Sequence, residues 1–372
     1  MNTSELISIA RTDKDKIRKY FYGSSKQQSR WIAEFNKHEL NTMLLLSIQT
    51  PVELCTFFGM GITGLQETIN YPEYTQYKIL KRKGGTREIF APEKFLKHLQ
   101  KKLNYFLQAY YLCIKPNHVH GFVINPHYLG KHCNIVENAK DHVGKKFLLN
   151  IDLKDFFPSI PARLIKQVFM SDVFQFNDQI ATALTLLTTY KGILPIGAPT
   201  SPVISNFICA HLDSDLINFC KTHSLAYTRY ADDLSFSSNN SITDDNILDI
   251  INLIKQNNFQ INEKKLRLKT GNRKQTVTGI TVNNKVNVDR KLLKKIRAML
   301  HDLTTNGIES AAQNHFHLKG KVSQNLKWKF LYRLNGYINF VGQVRGKADS
   351  LYQKFKSNLQ LVTNPTSSKL IQ

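Results

Sequence analysis

Three carboxylates are placed where chemistry would need them. Asp152 closes the apolar run Phe147-Leu148-Leu149-Asn150-Ile151. Asp232 and Asp233 stand in Tyr230-Ala231-Asp232-Asp233, inside the alternating stretch Tyr227 to Ser237. A carboxylate at the end of an apolar strand loses solvation unless something compensates it. A divalent cation does so, because Mg²⁺ prefers hard oxygen ligands and is commonly shared with substrate phosphates. Two such ions about 4 Å apart can activate a hydroxyl nucleophile and stabilise a leaving pyrophosphate. The Asp doublet alone is also compatible with an ordinary turn, since Asp favours turns. A second group is basic: Lys81-Arg82-Lys83 and Arg87 flank Gly84-Gly85. Charge-assisted contacts from such side chains suit a triphosphate; the bland alternative is an exposed basic turn.

The elements that must position these residues can be read from periodicity and turn chemistry. Residues 1–70 read as helices. Ile17, Tyr20 and Phe21 share one face, Trp31, Ile32 and Phe35 another. Asn41 to Ile48 is Leu-rich, Pro51 opens Val52 to Phe58, and Gly59, Gly61 and Gly64 break the helical pattern beyond it. Tyr77 to Arg87 reads as a Gly-Gly hairpin. Pro92 is expected to start an amphipathic helix through Leu96, Leu99, Leu103 and Phe106. A strand at 147–151 precedes helices near 161–170 and 178–190, a Pro/Gly-rich loop from Gly192 to Pro202, and one helix from Val203 to Cys220. The Tyr227–Ser237 hairpin carries the acidic tip. Next come a helix at 244–257, a strand near Phe259–Ile261 and a strand pair around Val277–Val288. After Asp289 the chain reads as helical and basic to about residue 360.

Composition restricts the partners. Of 372 residues, 51 are Lys or Arg and 28 Asp or Glu, a net of +23. From Lys264 to Gln372 there are 22 Lys and Arg against 4 Asp and Glu. Like charges so concentrated repel unless a polyanion neutralises them, and nucleic acid is the first choice. With 22 Phe and 15 Tyr the chain has too much packing material for disorder. No apolar run reaches the ~20 residues of a membrane span, and Met1 to Arg11 lacks a signal core. Cys55, Cys113, Cys133, Cys209 and Cys220 are odd in number and scattered, which fits a reduced, cytoplasmic protein. Cys133 with His118, His120, His127 and His132 matches no zinc-finger spacing.

Asp152, then Gly197-Ala198-Pro199-Thr200-Ser201-Pro202, then Tyr-Ala-Asp-Asp occur in the order seen in reverse transcriptases, and residues 75 to 290 resemble that family. The resemblance implies an α+β right-hand polymerase fold with fingers, a palm of antiparallel sheet plus helices, and a helical thumb. The implied division is a helical region at 1–70, fingers at 71–146, palm at 147–288 with part of the fingers interleaved, basic thumb at 289–360 and a loose tail at 361–372. It implies RNA-directed DNA polymerase activity with two Mg²⁺ ions held by Asp152, Asp232 and Asp233, and dNTP substrates. Lys265 matches the family lysine near the pyrophosphate, a proton donor, with Lys264 as competitor. Lys81, Lys83 and Arg87 match the fingers hairpin that grips the triphosphate. Asp155, Phe156, Phe157, Gly197 and Ala198 fall in the nucleotide-binding set. Phe157 falls where the family keeps a steric gate against a 2′-hydroxyl; the alternative is a core aromatic beside Phe156. Many members carry Gln where this chain has Ile196, which leaves apolar contact in place of hydrogen bonds.

Two further motifs narrow the resemblance to bacterial retron reverse transcriptases: Asn138-Ala139-Lys140-Asp141-His142 fits NAxxH, and Val277-Thr278-Gly279 fits VTG. No stretch resembles an added nuclease, maturase or RNase H domain. The retron resemblance implies a cognate structured noncoding RNA. Synthesis would be primed from the 2′-hydroxyl of an internal guanosine to give branched RNA–DNA (msDNA). It further implies anti-phage defence with a separate effector protein, host RNase H as a further partner, and no membrane. The expected RNA contacts are Asn138, His142, Val277, Thr278 and Gly279, with Lys291, Lys294, Lys295, Arg297, Lys327, Trp328 and Lys329 of the thumb. Trp328 could stack on an unpaired base or lie in the thumb core. The alternatives are another short bacterial reverse transcriptase, group II intron-like or diversity-generating, and a catalytically inactive RNA-binding protein.

Overall fold

The computed structural model describes residues 1–23, 33–81, 84–124, 133–318 and 320–363. Two compact units divide the chain. Unit 1 comprises Met1–Cys133, Asn150–Leu234 and Ile242–Leu266; unit 2 comprises Asn134–Leu149, Ser235–Ser241 and Arg267–Gln372.

Five helices open the chain as expected: α1 (Thr3–Thr12), α2 (Lys14–Tyr22), α3 (Lys37–Leu46), α4 (Pro51–Phe58) and α5 (Ile62–Asn70). Asn2, Asn36 and Thr50 each close a capping box with a Glu three residues on, which satisfies orphan N–H groups of the first turn. The chain breaks at Gly59, left-handed with φ 75°, but Gly64 lies inside α5. Trp31 and Ile32 fall outside the described residues. Strands β1 (Tyr74–Leu80) and β2 (Thr86–Pro92) then pair antiparallel, Leu80 opposite Thr86. Gly84 and Gly85 take φ 91° and 81° in the turn, values that glycine adopts without a Cβ penalty. Pro92 ends β2 rather than starting a helix, and α6 (Lys94–Ile114) begins two residues later with Leu96, Leu99 and Leu103 buried.

After α7 (Ile135–Lys140) come β3 (Phe147–Asp152), α8 (Ala162–Met170) and α9 (Asp178–Thr188). The single helix expected over 203–220 is two, α10 (Ser201–Ile208) and α11 (Ala210–Thr222), parted at Cys209. The hairpin β4 (Ala226–Tyr230) and β5 (Asp233–Ser238) precedes α12 (Asp244–Gln256). Phe259–Ile261 forms only a bridge, Ile261 to Leu153, whereas β6 (Arg267–Thr270) joins a sheet of order β4-β5-β3-β6.

In unit 2, β7 (Thr276–Val277) pairs with β8 (Ile280–Thr281), and α13 (Arg290–Phe316), α14 (Gln324–Arg345) and α15 (Ser350–Thr363) complete the described chain. Its core joins Val136, Ala139 and Leu148 to Val277, Ile280, Ile296, Phe330 and Ile338. Gly307, at φ 76° and ψ 171°, interrupts α13. Residues 361–363, expected to be loose, finish α15; 364–372 lie outside the described residues. No helix of the described residues is long and apolar enough to cross a membrane.

Candidate active site

The three carboxylates converge in unit 1 through backbone stitching. Asp152 is the last residue of β3, and Asp232 lies in the turn before Asp233 opens β5. The Leu153 N–H donates to the Asp232 carbonyl at 2.9 Å, tying the end of β3 to the acidic turn. The Asn262 N–H donates to the Asp152 carbonyl at 2.7 Å, and the Lys154 N–H to that of Gln260 at 2.7 Å. A short 3₁₀ turn, Glu263–Lys265, then carries the Lys265 ammonium to 2.6 Å from Asp152 Oδ1. Lys265, not Lys264, is therefore the lysine paired with the strand-end carboxylate.

The electrostatics are those of crowded like charges. Burial and the Asp152 charge raise Asp232 above the usual carboxylate range, while Lys265 and Arg87 pull it back. Asp233 keeps a solvent-accessible side chain, yet the surrounding protein atoms and the charges of Asp232 and Asp152 push it up to about 6. The field of Arg87, in β2, thus reaches the acidic turn.

These donors fit a hard divalent cation. Among the described residues no three His, Cys, Asp or Glu side chains form a ready-made metal cage. Mg²⁺ is usually held by one or two carboxylates plus water and substrate phosphates. Asp152, Asp232 and Asp233 are the side chains that would hold it, and its charge would relieve the repulsion that raises Asp232 and Asp233.

The turn is held from behind by residues that carry no motif. Arg229 and Asp213 are fully buried and joined by two bonds, Nε to Oδ1 at 2.7 Å and Nη2 to Oδ2 at 2.6 Å. Tyr227 Oη donates to the same Asp213 Oδ1 at 2.8 Å. Arg229 Nη1 donates to Asn206 Oδ1 at 3.0 Å and to the Ala231 carbonyl at 3.3 Å. Asn206 Nδ2 in turn donates to the Gly121 carbonyl at 3.0 Å. A Cβ on Gly121 would come within 2.3 Å of the Ala231 nitrogen, so only glycine allows this approach. Ala231 itself is left-handed, with φ 60°. A buried pair with every group satisfied fixes one geometry.

Around the carboxylates, Phe156 is buried beside Phe259, with ring centroids 5.8 Å apart. Phe157 is only half-buried, with Phe122 at 5.6 Å and Phe156 at 5.3 Å. Phe156 is the core aromatic, and Phe157 stays partly exposed. Asp155 is exposed and left-handed at φ 45°. The Phe90 N–H donates to the Ile196 carbonyl at 2.7 Å, which fastens the Pro/Gly loop to β2. At Gly197, with φ 114°, a Cβ would meet Ile89 at 2.8 Å, and Ala198 beside it is buried. Lys81 is exposed; Lys83, His127 and His132 lie outside the described residues.

Unit 2 places the other expected residues less uniformly. Asn138 and His142 are buried, and His142 Nδ1 is 2.7 Å from Ser237 Oγ. Val277 is buried as well, and Thr278 donates to the Ile135 carbonyl at 3.3 Å. Asn138, His142 and Val277 are buried and Thr278 is half-buried, and the bonds of His142 and Thr278 tie the α7 segment to β5 and to the β7–β8 turn. Gly279, at φ 85°, is exposed in that turn. Lys291, Lys294 and Arg297 are exposed; Lys295 lies over the Tyr337 ring, and Lys327 pairs with Glu309 at 2.7 Å. Trp328 is 52% exposed and therefore not core; Tyr332, one turn on, is 73% exposed, and Lys329 lies beside them.

Residues 79–282 match the family model described as reverse transcriptase (RNA-dependent DNA polymerase). The chain is 34% identical to the retron Ec86 reverse transcriptase of Escherichia coli, over 71% of this chain and 82% of that protein. It is 31% identical to the retron Mx65 reverse transcriptase of Myxococcus xanthus, over 66% of this chain and 59% of that one. Among solved structures, a Candida albicans telomerase bound to a fragment of telomeric RNA aligns at TM-score 0.45 and 10% identity, over 81% of this chain and 64% of that one. The family match takes in β2, the Pro/Gly loop and all three carboxylates, and the curated relatives align with most of this chain. With its right-hand polymerase fold and its acidic turn, the chain belongs to the retron reverse transcriptases, RNA-directed DNA polymerases.

Proposed function

We propose that this reverse transcriptase copies part of a cognate structured RNA into DNA. Synthesis starts from the 2′-hydroxyl of an internal guanosine, so the product is a branched RNA–DNA molecule. The observation that carries the polymerase chemistry is the convergence of Asp152, Asp232 and Asp233 with Lys265 paired to Asp152 at 2.6 Å. Two Mg²⁺ ions, when bound, supply charge for the attacking hydroxyl and the leaving pyrophosphate. Lys265 gives a proton to that pyrophosphate. Arg87 and Lys81 grip the triphosphate. Phe157 excludes a ribose 2′-hydroxyl by its bulk. Gly197 and Ala198 shape the loop beside the nucleotide. The fingers, palm and thumb follow the divisions implied by the family. Contacts to RNA come from the exposed cations and Trp328 of the basic helices, which meet phosphates and unpaired bases.

The biological reading is anti-phage defence in the cytoplasm, with a separate effector protein, and host RNase H trimming the RNA strand. Primer extension on an RNA template tests the polymerase, and Asp233→Asn is expected to abolish it. The branch is tested by incubating the protein with the structured RNA encoded beside its gene. A DNA product that resists separation from RNA in denaturant, and is freed by a 2′–5′ debranching enzyme, supports the proposal. DNA freed by denaturant alone removes it.

A further inference from the structure

A recess in unit 2 has a volume of about 800 Å³, within the range of ligand sites. Five cations line it, Arg273, Lys274, Lys285, Arg290 and Lys291, against one carboxylate, Asp289. That carboxylate is already committed: Lys274 Nζ is 2.6 Å from Asp289 Oδ2, and the Lys291 N–H donates to its other oxygen at 2.8 Å. The Lys274 hydrogen bond holds Asp289 below the usual carboxylate range. Arg273, Lys285, Arg290 and Lys291 have no side-chain hydrogen bond or ion pair among the described residues.

The frame behind these cations is stiff. Asn283 Nδ2 donates to the carbonyls of Gly271 and Arg273 at 3.1 and 2.8 Å, and its Oδ1 accepts from the Gln275 N–H at 3.0 Å. Asn287 exchanges backbone bonds with Thr281 at 2.8 and 2.9 Å and accepts from Arg345 Nη1 at 2.8 Å. Four cations without a side-chain partner thus share the hollow with a single, already engaged carboxylate, which leaves its lining strongly positive. Among the described residues no aromatic side chain lines the hollow, so it offers nothing for a base to stack on.

We propose that this recess is a phosphate dock for RNA backbone, gripping consecutive phosphates through Arg273, Lys285, Arg290 and Lys291. The inference rests on the reading of the chain as an RNA-holding polymerase and specifies where part of that hold lies. A free triphosphate carries the same chemistry, and the experiment separates the two sources.

The test titrates salt against binding of a fluorescently labelled RNA hairpin to the full chain. The triple variant Arg273→Gln, Lys285→Gln, Arg290→Gln is compared with an exposed control of equal charge loss, Lys97→Gln, Lys101→Gln, Lys221→Gln. The recess variant should flatten the log–log slope by about 2 units, since each phosphate contact carries roughly 0.7–0.9. Its affinity should fall ~10-fold or more near 0.1 M salt, while the control stays close to wild type. Both variants should keep the wild-type far-UV circular dichroism spectrum and a Tm within about 3 °C of wild type, which shows them folded. Equal slopes for the recess variant and wild type overturn the dock, and so does an equal flattening in the control. Inorganic tripolyphosphate should displace the hairpin no better from wild type than from the recess variant. Selective displacement from wild type at micromolar concentration, with the hairpin slope unchanged by mutation, assigns the recess to free triphosphate and overturns the RNA dock. A wild-type chain that binds the hairpin with a steep slope but extends no primer rejects the polymerase reading and leaves the dock standing.

Discussion

At the residue scale, Asp233 has the most informative chemistry. Its carboxyl is raised to about 6, so the folded protein binds its proton more readily than the unfolded chain does. Ionising it costs nothing below the unfolded value, costs progressively more as pH rises towards 6, and reaches a constant penalty above that. The penalty is about 1 kcal/mol once discounted for the solvent access of the group. Asp233→Asn should therefore raise the metal-free Tm at pH 8 by about 2 °C, and leave it unchanged at pH 3. Mg²⁺ should stabilise wild type and not the variant; calorimetry with and without Mg²⁺ checks both, and a variant that melts earlier at pH 8 contradicts the argument. Polymerase activity should fall as pH drops through 6, because protons then compete with the cation for Asp233. Phe157 is the second residue-scale case. Replacing it with Ala removes the ring's bulk and should raise ribonucleotide incorporation ~10-fold or more relative to deoxyribonucleotide. Nucleotide competition on one template measures this, and an unchanged ratio returns Phe157 to packing.

At the element scale, the acidic turn depends on the residues packed behind it. Gly121→Ala would drive a methyl into the Ala231 nitrogen and should lower kcat at least ~10-fold with KM for dNTP little changed. Breaking the buried ion pair with Arg229→Ala leaves Asp213 uncompensated and should cost about 3–5 kcal/mol in stability. The paired replacement Arg229→Met with Asp213→Leu restores packing and should recover most of that stability. Its kcat should stay low, because the Ala231 carbonyl has lost its donor; full recovery of kcat would make the pair merely structural. None of this brace was legible in the sequence. Gly121 and Ala231 are 110 positions apart, and Arg229 and Asp213 lie on different elements, so no period links them. The hairpins were legible because a Gly-Gly or acidic turn between alternating residues is a local signal. β6 was not: Arg267-Leu268-Lys269-Thr270 is short, exposed and charged, and its strand character comes from its neighbours. Asn138 and His142 were recognisable as a motif, but only the fold shows that both are buried.

At the scale of the whole molecule, the division into units does not follow sequence order. Asn134–Leu149 belongs with Arg267–Gln372, and the boundary falls inside β3 and β5. Val136, Ala139 and Leu148 are buried by partners such as Val277, Ile280 and Ile296. A ribosome adding about 5–20 residues per second needs roughly 7–26 s to get from Leu148 to Ile280. For that interval the nascent chain carries an apolar segment whose lid has not been made, and the same wait recurs in every round of synthesis. Chains arrested at residue 266 should therefore be cut readily within 134–149, and chains arrested past α15 should not. An equal resistance to protease in both would mean that the early segment finds temporary cover. The interleaving that leaves both units incomplete until late in synthesis also sets the period in which a chaperone has most to protect.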